Sequence, residues 1–160
     1  MSSNSSLTMS ANPAQPASQD EYLFVYGTLL RKLNLACFRF LTPVAEYVCE
    51  AQVRGELWDL GSYPGLCLNE QANLVKGELF KLTNNSNWQT LDEYEDYQPS
   101  DPANSLYLRV ATPIVCEHST ITSAWVYHYQ GSLQLAKAIS SGDYYSYRRK
   151  LAVAKHTKLR

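Results

Sequence analysis

Two segments of this chain are copies of one pattern: Val53-Arg-Gly-Glu-Leu-Trp-Asp-Leu60 and Val75-Lys-Gly-Glu-Leu-Phe-Lys-Leu82. In each, Val, Gly and Leu alternate onto one face while the basic residue, Glu and the aromatic residue take the other, which is the two-residue period of a β-strand. A glycine in mid-strand has no side chain to pack, so Gly55 and Gly77 mark a bulge, a tight bend or a close approach of neighbouring backbone. A strongly curved sheet needs such positions. Copies this short are strand geometry, not the units of a solenoid.

The rest of the chain supplies partners for these strands. Tyr22-Leu-Phe-Val-Tyr26 is a short strand-like run that ends in Gly27-Thr28. After it, Leu29, Leu33 and Cys37, with Leu30 and Leu41 alongside, recur at helical spacing until Thr42-Pro43 stops the pattern. Gly61-Ser-Tyr-Pro-Gly65 is a loop by every local rule. Leu106 to Glu117 reads as a strand with Leu106, Leu108 and Val110 on one face and Tyr107 and Arg109 on the other, and Ile121 to Tyr129 as a further strand. Gly142-Asp143 precedes a last helix, in which Tyr144, Tyr147, Leu151 and Ala154 form an apolar stripe that suits a core seam. Strand, helix, several strands, helix, more strands and a C-terminal helix define an α+β fold: a small mixed, mainly antiparallel curved sheet or barrel with flanking helices.

The 160 residues form one domain, 21–160, preceded by a tail, 1–20, rich in Ser, Asn, Ala, Pro and Gln and without an aromatic residue, which reads as disordered. Hydrophobic residues make up 45% of the chain and charged residues 18%, a balance that supports one buried core. A formal charge of −1 supplies no general attraction to nucleic acid or acidic lipid. The basic run from Arg148 to Arg160 reads as a solvated helix terminus that suits the dipole. No apolar run is long enough for a membrane span, and the first twenty residues lack the h-region of a signal peptide. Cys37, Cys49, Cys67 and Cys116 are widely spaced with no histidine cluster nearby, a spacing that suits reduced, buried thiols of a cytoplasmic protein and no metal site. Four is an even number, so a disulfide stays open. His118 and His128 lie near strand ends without acid or nucleophile partners in sequence and read as structural.

Two stretches carry chemistry. Trp88-Gln-Thr-Leu-Asp-Glu-Tyr-Glu-Asp-Tyr97 sets four carboxylates beside bulky apolar side chains. With Ser86 or Asn87 as N-cap it reads as a short helix on which Trp88, Leu91 and Glu95 share one face, while Asp92, Glu93 and Asp96 point mostly to solvent. Glu95 is then carried to the apolar side, where desolvation raises its pKa towards that of a general base. The pattern equally allows Glu95 to be wet at a frayed end, or paired with an arginine. The second stretch is the junction of strand, Gly27-Thr28 turn and following helix, whose backbone N–H groups can converge on an anion such as a carboxylate. Tyr63 can cap a pocket or merely cover the surface. Tyr107 and Arg109 can orient a carboxylate or carbonyl, or be ordinary surface residues.

Together these pieces resemble the γ-glutamylcyclotransferase-like family, which includes the γ-glutamylamine cyclotransferases and the plant AIG2-like proteins. The residues that carry the resemblance are Phe24-Val-Tyr-Gly-Thr-Leu29, Val53-Arg-Gly-Glu-Leu57, Tyr63-Pro-Gly65 and Val75-Lys-Gly-Glu-Leu-Phe80, followed by Leu91-Asp-Glu-Tyr-Glu95, Tyr107-Leu-Arg109, Ala124-Trp-Val-Tyr127 and Ser141-Gly-Asp143. The resemblance implies a small barrel with a pocket in which the turn Tyr26, Gly27, Thr28, Leu29 holds the α-carboxylate of a γ-glutamyl substrate and Glu95 is the acid/base. It implies release of 5-oxoproline without metal or cofactor, on a small-molecule substrate. The alternatives are a non-catalytic binding or stress-associated member of the same fold, and a hydrolase, for which no nucleophile, base and orienter can be identified. Two departures from the family pattern are Asp96, where many relatives have Gly, and Tyr144, where relatives often have Trp.

Overall fold

The computed structural model of the protein describes residues 20–83 and 88–158. The tail, apart from Asp20, and the N-cap positions Ser86 and Asn87 lie outside the described residues. Seven strands form one sheet: β1 (Tyr22–Val25), β2 (Ala45–Asp59), β3 (Pro64–Leu68), β4 (Leu74–Leu82), β5 (Tyr107–Pro113), β6 (Ser123–Tyr129) and β7 (Lys137–Ala138). Two α-helices flank it, α1 (Trp88–Tyr94) and α2 (Tyr144–Lys158).

The sheet runs β1-β4-β2-β3-β6-β5, and β6 also pairs with β1 through Leu23 and Trp125, so the path returns on itself as a barrel. Both pairings of β6 inside the ring, to β1 and to β3, are parallel; the other pairings are antiparallel. The two copied segments face each other within β2 and β4, with Val53 opposite Val75. Leu23, Phe24, Leu66, Leu79, Phe80 and Val126 are among the most buried side chains of the core, and the adjacent pairs Leu23/Phe24 and Leu79/Phe80 bury both faces of their strands. The mid-strand glycine of β4 permits close approach: a Cβ at Gly77 would overlap the Val25 carbonyl and the Phe24 ring. The only register shift between β2 and β4 lies elsewhere, at Tyr47 and Cys49.

Several expectations are corrected. The helix expected from Leu29 to Leu41 is two 3-10 turns, Arg31–Leu33 and Ala36–Phe40, because Asn34 adopts a left-handed conformation, φ 50°, and closes the first turn onto Arg31. Pro64 and Gly65, read as loop, begin β3, and β2 starts at Ala45, well before the copied segment. The strand expected to Glu117 ends at Pro113; beyond it Val115 pairs with Gln52 in a single bridge. The stripe on α2 packs only over its first turns, since Tyr144 is buried while Leu151 and Ala154 are exposed. Asp143 caps this helix by accepting the Ser146 N–H at 3.1 Å. Of the four cysteines, Cys49 and Cys116 form a disulfide, and Cys37 and Cys67 are free. His128 is structural, its Nδ1 accepting the Leu68 N–H at 3.0 Å. Among the described residues no helix is long and apolar enough to cross a membrane.

The tight contact at Gly77 sets a first prediction. Gly77→Ala should destabilise the fold by about 1–3 kcal/mol, because the obstacle is backbone and ring, not a flexible side-chain end. Denaturant unfolding followed by circular dichroism measures it; an unchanged midpoint would mean β1 does not lie this close to β4.

Candidate functional site

A cavity of about 340 Å³ is lined by the end of β1 and its following turn, by Tyr63 and Pro64, by the C-terminal end of α1, and by Leu106, Tyr107 and Tyr127. It brings together Tyr26, Gly27, Thr28, Leu29, Tyr63, Glu95 and Tyr107, seven of the eight residues singled out from the sequence. Arg109 is not among its lining residues.

The turn is held from every side. The Tyr26 hydroxyl donates to the Tyr127 carbonyl at 2.7 Å and accepts the Leu66 N–H at 3.3 Å, tying the end of β1 to β6 and β3. Gly27 lets the chain pass against β3, since a Cβ there would overlap the Pro64 ring. The Leu30 N–H closes the turn onto the Gly27 carbonyl at 3.0 Å. Thr28 shares a 2.7 Å hydrogen bond between its Oγ1 and the Tyr94 hydroxyl, and its carbonyl accepts the Cys37 thiol at 3.0 Å. The N–H groups of Gly27, Thr28 and Leu29 donate to no acceptor among the described residues. The Arg31 N–H, two residues on, is taken by Glu78 Oε1. Glu78 is 1% exposed, and burial raises its pKa against the opposing pull of that N–H. Sequence reading treated Glu78 and Glu56 alike; the copy on β2 is exposed and the copy on β4 props the turn.

Glu95 owes its place to the way α1 ends. Asp96 is left-handed, φ 53°, and the Tyr97 N–H reaches the Asp92 carbonyl at 2.8 Å while the Asp96 N–H reaches that of Glu93 at 3.2 Å. This is a Schellman closure with Asp at the position glycine usually holds, and it sets Glu95 at the helix C-cap. Glu95 as a residue keeps intermediate exposure, because it opens on the cavity. Its carboxyl is deep among protein atoms, and that burial pushes its pKa up to about 8. Among the described residues no hydrogen bond or ion pair engages it, so neither the frayed nor the arginine-paired alternative describes it. Burial foremost, with the charge of Glu95 adding, also raises the phenols of Tyr26, Tyr94, Tyr107 and Tyr127, which stay neutral hydrogen-bond donors.

Asp92 was expected to face solvent and does not. It is 4% exposed; Oδ1 accepts the Tyr127 hydroxyl at 2.7 Å and Arg109 Nε at 3.1 Å, and Oδ2 accepts Arg109 Nη2 at 3.3 Å. The Arg109 guanidinium lies 4.0 Å over the Trp88 ring and 5.3 Å from that of Trp125. Arg109, singled out as a substrate-orienting candidate, is engaged by Asp92 and holds α1 on β5. The signal was present: Asp92 lies four positions after Trp88 and shares its face with Glu95 as Leu91 does. Polarity alone argued it outward. Tyr107, by contrast, is buried and donates to the Pro64 carbonyl at 2.7 Å, and Tyr63 is 40% exposed beside it with ring centroids 6.4 Å apart. Tyr94 and Tyr127 complete the wall and were not singled out from the sequence.

Comparison with known proteins adds to this geometry. Residues 23–146 match the family model for gamma-glutamyl cyclotransferase, AIG2-like. A protein of Vibrio cholerae serotype O1, provisionally named a gamma-glutamylcyclotransferase, is 31% identical over 123 residues, 76% of this chain and 93% of that protein. Among solved structures, Escherichia coli ytfP superposes with a TM-score of 0.54 at 26% identity, covering 77% of this chain and 95% of its own. An AIG2-like protein from Mus musculus superposes with a TM-score of 0.58 at 23% identity, covering 76% and 86%, and speaks to the fold alone.

Two stability measurements follow. Asp92→Asn leaves the Arg109 charge without its buried partner and should cost about 3 kcal/mol, whereas Glu93→Gln, at an exposed position, should stay within about 0.5 kcal/mol. Equal effects would contradict the assigned contacts. Glu95 binds its proton up to about pH 8 in the folded chain and up to about 4.5 without the fold, so in between the native state holds more protons and stability falls as pH rises. Wild type should therefore lose stability relative to Glu95→Gln across that window, and a difference independent of pH would remove the raised pKa.

Proposed function

We propose that this chain, which belongs to the gamma-glutamyl cyclotransferase, AIG2-like family, converts a γ-glutamyl amine or γ-glutamyl peptide to 5-oxoproline and a free amine. The observation that carries the reading is one cavity lined both by Gly27, Thr28 and Leu29, whose backbone N–H groups have no acceptor among the described residues, and by Glu95, whose carboxyl is desolvated and has no hydrogen-bond or ion-pair partner among them.

A γ-glutamyl compound brings its own nucleophile. The α-amine attacks the γ-carbonyl, a nitrogen–carbon bond closes a five-membered ring, and the original amide bond to the leaving amine breaks. The protein must fold a flexible substrate into that arrangement and move one proton. N–H groups of Gly27 to Leu29 bind the α-carboxylate at one end, and the walls of Tyr63 and Tyr107 confine the other, which can supply several kcal/mol through pre-paid orientation, up to about 7–11 in ideal intramolecular cases. The substrate reacts as its free α-amine; Glu95 accepts the proton that the attacking nitrogen sheds as the ring closes and returns it to the departing nitrogen, worth on the order of 10²–10⁴-fold. A carboxyl with its pKa near 8 is matched to both halves of that task. A module that only bound the substrate would have no use for a desolvated base.

Incubation with γ-glutamyl amines and dipeptides tests the reading, with 5-oxoproline expected; free glutamate would indicate hydrolysis, and no product a binding module. Glu95→Gln keeps shape and hydrogen-bonding reach but cannot shuttle the proton, so kcat should fall by about 10²–10⁴-fold with KM within a few fold. In wild type, kcat/KM should rise with pH on the acid side as Glu95 ionises, with a midpoint about 8. Near wild-type kcat in Glu95→Gln would remove the base from this position.

A further inference from the structure

The charges around this cavity are of one sign. Glu95 and Asp96 are its acidic lining residues, and no Lys, Arg or His lines it among the described residues. The arginine closest to it in the sequence motifs, Arg109, is engaged by Asp92. Asp96 stands where the backbone is left-handed at φ 53°, a conformation glycine adopts at least cost. It is exposed, and its carboxylate makes no hydrogen bond or ion pair among the described residues. A charged side chain is therefore kept at the rim of the cavity, in a place that favours none, without a partner from its own chain. Tyr63, 40% exposed and lining the same cavity, adds an aromatic face, which attracts a cation and not an anion.

We propose that Asp96 is a specificity-determining residue: it selects γ-glutamyl substrates whose leaving amine carries a second positive charge over those whose leaving group ends in a carboxylate. The inference rests on the reaction assigned above and concerns its leaving-group side. With the α-carboxylate held at the Gly27 to Leu29 turn and the γ-carbonyl by Glu95, the remainder of the substrate extends towards the rim. A terminal ammonium there meets Asp96 and the Tyr63 ring; a terminal carboxylate meets a like charge and no cation.

The test compares kcat/KM for three γ-glutamyl conjugates of similar length: a diamine, an uncharged alkylamine and an amino acid. Each is measured with wild type, Asp96→Asn and Asp96→Gly. Asn and Gly both accept the left-handed backbone, so neither variant threatens the fold. Wild type should favour the diamine conjugate over the uncharged one by about tenfold, and the amino acid conjugate should be the poorest, as expected for charge coupling at a partly screened site. Both variants should bring the three conjugates within about twofold of one another. A wild type indifferent to charge, or a preference that survives both substitutions, overturns the proposal. Calorimetric binding of the same conjugates to Glu95→Gln reads the charge preference without turnover. Absence of 5-oxoproline would thus overturn the reaction, while the binding order still decides the role of Asp96.

Discussion

The pairing of Asp92 with Arg109 and Tyr127 is the contact on which the site depends. α1 is seven residues long, too short to hold its place by helical propensity; Leu91 is its fully buried apolar side chain, and Trp88 and Tyr94 pack half-buried against the core. The two-pronged hydrogen bond from Arg109 and the third bond from Tyr127 fix it against β5 and β6. The same residue's carbonyl receives the Tyr97 N–H that closes the helix end. Asp92 thus sets both where the helix lies and where it stops, and Glu95 occupies the position those two conditions leave. A buried ion pair adds little net stability over apolar residues of equal volume, but loss of one partner is costly, which is the signature of a positional constraint.

The two halves of the site are polar in opposite senses. On the turn side, donors are left open: the N–H groups of Gly27 to Leu29 lack acceptors within the described chain, while the next free donor, that of Arg31, is taken by Glu78. Across the cavity, Glu95 is an acceptor left without a donor. Each would be costly in a closed core, and the proposed ligand, with a carboxylate at one end and an amine near the other, would satisfy both. The bond between Thr28 and Tyr94 couples the halves directly, so the separation of donors from base is set by a hydrogen bond and not by loop drift.

Much of this was legible in the sequence where a period or a turn residue spoke plainly. The copied strands, the Tyr26 to Leu29 turn and the placement of Glu95 follow from alternation, glycine and helical spacing. Failures occurred where tertiary contacts decide. Leu29 to Leu41 has helical spacing, yet Asn34 breaks it into two 3-10 turns, as a residue tolerant of the left-handed region can. Asp92 read as facing solvent, and Arg109 as a substrate-orienting or surface residue, because the pattern ranks polarity, whereas a charge that brings its own counter-charge can be buried. The early part of β2, Ala45 to Gln52, does alternate, with Ala45, Tyr47, Cys49 and Ala51 on one face and Glu46, Val48, Glu50 and Gln52 on the other, so a strand signal was present ahead of the copied segment and went unread.

The copied segments hold a lesson about what repetition means in a closed sheet. Gly55-Glu-Leu57 and Gly77-Glu-Leu79 are the same tripeptide in the same strand geometry, and a barrel still gives their glutamates unlike neighbourhoods: one faces water, the other is sealed against a turn. A family alignment would score the two positions alike if both were kept, yet drift is cheap at one and closed at the other. Glu56 can be exchanged for most polar side chains, whereas Glu78 admits only a residue that offers an acceptor to the Arg31 N–H in the same space. Two segments of one pattern supply two strands, and curvature makes one of them the scaffold for the Tyr26 to Leu29 turn.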